Sequence, residues 1–361
     1  MYNFTAINRI EGLDGLRLFA VGLVLLGHFG LPLVPAGLGV TIFFFISGFL
    51  ITVLLSQEMR ENGFIGVKNF YIRRFLRLGP ELLGLIAGSI ALGAIIGTGP
   101  KLIDIFAAIF YFTNYYIAWL YFYFGADSVP YWTHLWSLSV EEHYYLTYPA
   151  IFGFVFSNAR IRRVFFASIL GGCLAWRTFL VVMDTFPLTW TNPYTYMASE
   201  ARMDSIAYGA LFAFIAQKRR RVGPLASGLC LMGGLTLLAL SLAIRNPEFR
   251  EILRYSVQGI ALFLIFVHLY LSQNRSPLMF LLESRVSRVG GLLSYGAYLW
   301  HSEVLRVFAA IGLGTRSTSL TAKLMFIPLG IAVTFLLAWI SFRVLAMPAL
   351  GLRKRFGSHT L

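Results

Sequence analysis

The chain has 361 residues, of which 58% are hydrophobic, 16% aromatic and 13% charged, and it carries a formal net charge of +14. That much apolar material excludes a soluble domain, and several windows reach the roughly 20 residues that cross a bilayer. The positive charge does not point to nucleic acid, because the basic residues fall in short clusters between apolar segments, which is the pattern of a membrane-topology signal.

Taken in order, apolar segments run at 13–34, 37–56, 78–97, 105–125, 137–156, 164–182, 204–217, 223–243, 255–272, 291–311 and 324–346. The first is interrupted by Asp14 and Arg17 and is followed by no small-residue cleavage site, so it is expected to stay as a membrane helix rather than leave as a signal peptide. Basic clusters at Arg73, Arg74 and Arg77, at Arg160, Arg162 and Arg163, at 218–221 and at 353–355 are expected on the cytoplasmic side. Three apolar segments separate the first two clusters, so one of them is expected not to cross. The candidates are 78–97 and the segment beginning near Trp136, whose "SLSVEEHYY" is too polar to face lipid. The expected fold is an all-α polytopic membrane protein with about ten transmembrane helices, one additional re-entrant or partial helix, and both termini cytoplasmic. No internal repeat or linker divides it, so residues 1–361 read as a single membrane domain without an additional soluble domain. Cys173 and Cys230 lie in apolar stretches without partner spacing and read as inert core thiols, and no metal-ligand pattern is present.

The first helix carries its polar residues in a pattern. Arg17 and His28 are eleven residues apart, which is three turns plus about 20° and a rise of about 16 Å, so they stack on one face. Asp14 falls one turn earlier on that face, where it can hold the guanidinium. A cation at the inner mouth of a cavity with an imidazole deeper in suits a long ligand with an anionic head and a reactive tip, the shape of a coenzyme A ester. The alternative, a snorkelling arginine and a histidine satisfied between helices, fits the same spacing, and the geometry leaves both open.

"LDGLRLFAVGLVLLGHF", "FFFISGFLIT", "FYIRRFLRLGP", "HLWSLSVEEHYYL", "RMDSIAYGALFA" and "LLSYGAYLWHSEVL" resemble, in order and nearly end to end, six motifs of the integral-membrane acyltransferase-3 family of bacterial O-acyltransferases. Glu303 stands where that family usually has proline after the histidine, and Gly79 where a bulky residue usually precedes Pro80. The resemblance implies a bacterial cytoplasmic (inner) membrane location and transfer of an acyl group, acetyl by default, from cytoplasmic acyl-CoA to a hydroxyl of a carbohydrate or glycosylated small molecule. Acyl-CoA is then a co-substrate, with no permanently bound cofactor, and the lipid bilayer is the remaining partner.

Chemistry assigns the roles. An alcohol attacking a thioester needs a base, and a neutral imidazole suits neutral pH, so His28 is the expected base or, failing that, the acyl-carrying nucleophile. Arg17, Arg74 and Arg77, with Arg73 beside them, are expected to pair with CoA phosphates; a plain topology anchor is the other reading of the Arg73–Arg77 cluster. Glu141 and Glu142 are carboxylates in an apolar context, expected to orient a histidine or bind an acceptor hydroxyl, or else to pair with Arg202 or Arg177. Arg202 and Asp204, close enough to pair with each other, are grouped with Trp136, Trp190, Tyr194 and His301 as candidate acceptor contacts. Asp14, Ser47 and His134 read as structural or orienting, Ser47-Gly48 being a mark of close helix packing. The rival is a secondary transporter of a small anionic or sugar-like solute, which the missing repeats and the ordered motifs disfavour. A non-catalytic relative does not need the intact Arg17 and His28.

Overall fold

The computed structural model describes residues 9–31, 33–125, 128–183, 192–218, 221–313 and 320–353. Among them the chain is almost entirely helical, with one isolated bridge between Val222 and Ser272 and no strand. In order the helices are α1 (Leu13–His28), α2 (Ala36–Asn62), α3 (Val67–Ile96), α4 (Leu102–Ile109), α5 (Thr113–Phe124), α6 (Trp136–Ser157), α7 (Ala159–Val182), α8 (Pro193–Tyr196), α9 (Ser199–Ala216), α10 (Pro224–Ala243), α11 (Pro247–Ile252), α12 (Arg254–Leu271), α13 (Pro277–Leu282), α14 (Arg285–Leu292), α15 (Ser294–Ala310), α16 (Leu320–Ser341) and α17 (Met347–Arg353). Among the described residues six stretches are long and apolar enough to cross a bilayer: α2, α3, α7, α10, α12 and Phe326–Leu352. The chain is therefore a multi-pass membrane protein. The exposed leucines and methionine of α10, Leu225, Leu229, Met232 and Leu235, form one stripe at helical spacing, as a lipid-facing surface requires.

Of the two candidates for the segment that does not cross, 78–97 lies in α3, which is long and apolar enough to span, whereas α6, which holds 137–156, is not among the spanning helices. Both 78–97 and 137–156 lie in unbroken helices, α3 and α6, whereas 105–125 divides into α4 and α5 at Tyr111, whose φ is 55°. Eight and twelve residues rise about 12 and 18 Å, each short of a hydrocarbon core about 30 Å thick. α6 tolerates "SLSVEEHYY" because its polar groups bond within the protein, Glu141 to Ser47 and His143 to Ser199. α3 starts eleven residues before the expected segment, at Val67, because "YIRRFLRL" is made largely of good helix formers. α1 is 16 residues long and stops at His28.

The described residues form two compact units. One takes 41–65 and 107–279; the other takes 9–40, 66–106 and 280–353. In the first, α2 and α9 cross backbone to backbone: a Cβ at Gly48 would overlap the Ile206 carbonyl, and one at Gly209 would overlap the Phe45 carbonyl. Ser47-Gly48 thus sits at close helix packing, as read from the sequence. Around this crossing Phe45, Phe49, Phe212, Phe266 and Tyr270 fill a buried aromatic core, with neighbouring ring centroids 4.5 to 6.4 Å apart. In the second unit α1 lies tightly against α14, where Gly291 meets the Asp14 backbone.

Candidate active site

The second unit gathers Asp14, Arg17, His28, the α3 arginines and His301. The backbone N–H of Gly12 donates to the Glu283 carboxylate just ahead of α1, and Asp14 in the first turn complements the helix dipole. Asp14 accepts from Arg9 Nη2 at 2.6 Å and Nε at 3.0 Å, and from Arg17 Nη1 at 3.3 Å. It steadies Arg17 as expected, but its tighter partner is Arg9, which the sequence reading passed over. The Arg17 side chain is 17% exposed, with most of its fork left for another acceptor.

The far end of α1 is built by Gly30. The Leu31 N–H bonds to the Leu26 carbonyl and the Gly30 N–H to the Gly27 carbonyl, a Schellman closure that needs the left-handed backbone Gly30 adopts at φ 100°. The helix stops there, and His28 in its last turn remains exposed. One ring nitrogen is occupied: His28 Nδ1 lies 2.8 Å from Nε2 of His301. The centroids are 5.0 Å apart and the planes within 20°, the geometry of two rings meeting edge to edge along a hydrogen bond. His301 is buried on α15, and its Nδ1 lies 2.5 Å from the carbonyl oxygen of Tyr298. α15 continues without a break through His301 and Glu303, so the missing proline leaves the helix intact. Glu303 is buried and lies 3.6 Å from Arg306.

On α3, Arg73 is buried and Arg74 and Arg77 are half-buried. Being three apart in a continuous helix, Arg74 and Arg77 share a face, and Glu81, four residues on from Arg77, continues it. Glu81 is buried, accepts from Ser341 Oγ at 3.4 Å, and occupies space that a side chain at position 296 would fill. The sequence reading missed it; a lone carboxylate after Pro80 in an apolar helix was the available signal.

The first unit holds the other candidates. Arg177, fully buried, donates Nη2 to Asp204 Oδ2 at 2.8 Å and to Ser256 Oγ at 2.7 Å, Nε to the Ile252 carbonyl at 2.9 Å and Nη1 to the Ala201 carbonyl at 2.5 Å. Asp204 is thus bound by Arg177 rather than by Arg202. Arg202, also fully buried, donates to the Tyr196 carbonyl at 3.0 Å and to Thr41 Oγ1 at 3.1 Å. Tyr255 lies 3.9 Å from its guanidinium carbon, with Phe44, Trp136 and Tyr196 at 5.4 to 5.5 Å. Both side chains are enclosed by protein. Trp136 is buried in that cage, and His134 is buried in a single 3₁₀ turn before it. Glu141 accepts from Ser47 at 3.0 Å, Glu142 is half-buried, and Tyr194 is partly exposed on α8. Trp190 lies outside the described residues.

A polar network the sequence did not disclose joins α5, α6 and α9. His143 Nδ1 lies 2.6 Å from Ser199 Oγ, Asn114 Nδ2 donates to the same oxygen at 3.0 Å, and Tyr115 donates to Glu200 at 2.7 Å. The Tyr111 backbone also bonds His143, so the break before α5 is tied to α6. At 245–254, α11 buries Glu251, which accepts from Thr195, and burial pushes its carboxyl up from the ordinary range.

The O-acetyltransferase OatA of Staphylococcus aureus, strains NCTC 8325 and COL, is 30% identical over 312 residues, which is 82% of this chain and 50% of that protein. The chain spans about half the length of the curated relatives it matches. No solved structure matches it. The family described as "Acyltransferase domain" matches residues 10–343, from ahead of α1 to the π-helical turn after α16, and the chain belongs to that acyltransferase-3 family.

Proposed function

We propose that the protein is an O-acetyltransferase of the bacterial cytoplasmic membrane that moves acetyl from acetyl-CoA to a hydroxyl of a carbohydrate or glycosylated acceptor, with His28 as general base. The observation that carries this reading is the exposed imidazole of His28 at the end of a helix whose other end presents Arg17 on the same face. Their separation along the axis, about 16 Å, is comparable to the reach from phosphate to thioester in CoA. Arg17, Arg74 and Arg77 hold the phosphates. His28 removes the acceptor proton as the new C–O bond forms and the thioester C–S bond breaks, and the proton passes to the leaving thiolate. Among the acceptor candidates, Glu141, Glu142 and Tyr194 keep partial exposure, which suits them to a sugar hydroxyl better than the enclosed Arg202 and Asp204.

In this reading ten crossings leave both termini in the cytoplasm, with the broken α4 and α5 as the partial segment. A transporter has less in its favour, since a base with one nitrogen already bonded suits proton transfer more than solute passage. The test offers the purified full chain a panel of acyl-CoAs and follows free thiol with and without an envelope glycan fraction. Glycan-dependent thiol release, greatest with acetyl-CoA, is expected. Release from none of the panel contradicts an acyl-CoA donor.

A further inference from the structure

We infer that His301 is a positioning residue that selects which nitrogen of His28 takes up the proton, an inference that rests on reading His28 as the base. A carbonyl oxygen only accepts, so the ring nitrogen 2.5 Å from the Tyr298 oxygen, His301 Nδ1, carries that ring's hydrogen. In a neutral imidazole the other nitrogen is then a lone pair, so His301 Nε2 accepts. It faces His28 Nδ1 at 2.8 Å, and His28 Nδ1 must therefore be the N–H. What remains on His28 is Nε2, with its lone pair free for the acceptor hydroxyl. The chain of bonds runs one way, from His28 Nδ1–H to His301 Nε2 and from His301 Nδ1–H to the Tyr298 carbonyl.

The same chain serves the charged state. When Nε2 takes the acceptor proton, both His28 nitrogens become donors, and Nδ1–H keeps its acceptor without any rearrangement. A triad carboxylate does this work elsewhere, and setting the wrong tautomer there costs about 10⁴ in kcat. Here a buried neutral ring, anchored by its own helix, takes that place on α15.

The chain has six histidines, few enough for nitrogen-labelled histidine NMR of the full-length protein in lipid vesicles. His28 is assigned by the signal lost in His28→Gln. The wild type is expected to show His28 protonated on Nδ1 and bare on Nε2. His301→Gln, whose side-chain oxygen still accepts, is expected to keep that state, and His301→Phe to lose it. With acetyl-CoA and an envelope glycan fraction, His301→Phe is expected to lower kcat at least about 10²-fold with KM for acetyl-CoA nearly unchanged, and His301→Gln to recover most of it. His28 carrying its hydrogen on Nε2 in the wild type overturns the inference. So does His301→Phe turning over at the wild-type rate while His28→Gln is dead. Activity in His28→Gln itself removes the base reading and leaves the tautomer assignment standing on the spectra.

Discussion

His28 and His301, 273 residues apart in the chain, meet nitrogen to nitrogen at 2.8 Å, one ring exposed and the other buried. The buried ring is fixed by a carbonyl of its own helix, so the exposed one has its orientation already set. Such an arrangement holds an imidazole ready for proton transfer without a carboxylate beside it.

Donor binding is expected to depend on Arg17. Replacement by alanine removes a charge-assisted contact worth about 1.5–3 kcal/mol, raising KM for acetyl-CoA roughly ten- to a hundredfold. Arg17→Lys recovers only part, because an ammonium cannot reproduce the planar fork. Unchanged acetyl-CoA affinity in alanine variants of Arg17, Arg74 and Arg77 would reduce all three to topology anchors.

The Arg177 and Asp204 pair is expected to be a stability element. Both are fully buried, and deleting one partner strands the other's charge, costing about 3–5 kcal/mol. Asp204→Ala should lower the detergent melting temperature sharply, whereas the double variant Arg177→Met with Asp204→Leu should recover much of it. A single variant that melts like the wild type contradicts the account of this pair.

Much of this was legible in the sequence and some was not, for identifiable reasons. Apolar length marked membrane segments, because hydrocarbon acts on each residue locally. The spacing of Arg17 and His28 could be read because both ride one helix. The break at Tyr111 could not, since it depends on a left-handed residue that tyrosine seldom becomes and on a bond to His143 from another helix. Partners far apart in the chain were equally hidden: His301 for His28, Arg177 for Asp204, Ser341 for Glu81. Proximity in sequence misled where it suggested Arg202 with Asp204. Both ride α9 but point to different partners: Arg202 enters an aromatic cage and Asp204 meets Arg177 of α7.

Close helix crossing predicts a second stability effect. Gly48→Ala or Gly209→Ala puts a methyl into a backbone carbonyl of the opposite helix, and overpacking of this kind costs about 1–3 kcal/mol. Thermal unfolding in detergent should show both variants destabilised, with the pair less than additive because they share one crossing. Wild-type stability in either would mean the helices separate freely there.

Glu251 predicts a pH dependence. Burial raises its carboxyl pKa in the folded chain, with the Thr195 hydroxyl and Arg254 opposing, so the folded state holds the proton more tightly than the unfolded one. The stability this lends is full below the unfolded value near 4.3 and is lost as pH rises through the folded value. Between acid and neutral pH the wild type should therefore lose melting temperature relative to Glu251→Gln, whose amide stays neutral. Parallel pH profiles for the two proteins would contradict this.

Whether His28 acts as the base of acyl transfer is read from kcat for acetyl-CoA thiol release, with glycan acceptor, in His28→Gln. Glutamine keeps a hydrogen-bonding side chain but cannot take the proton. A loss of at least about 10²–10⁴-fold is expected, with acetyl-CoA binding and folding retained. A His28→Gln protein that keeps most of the wild-type rate would contradict it.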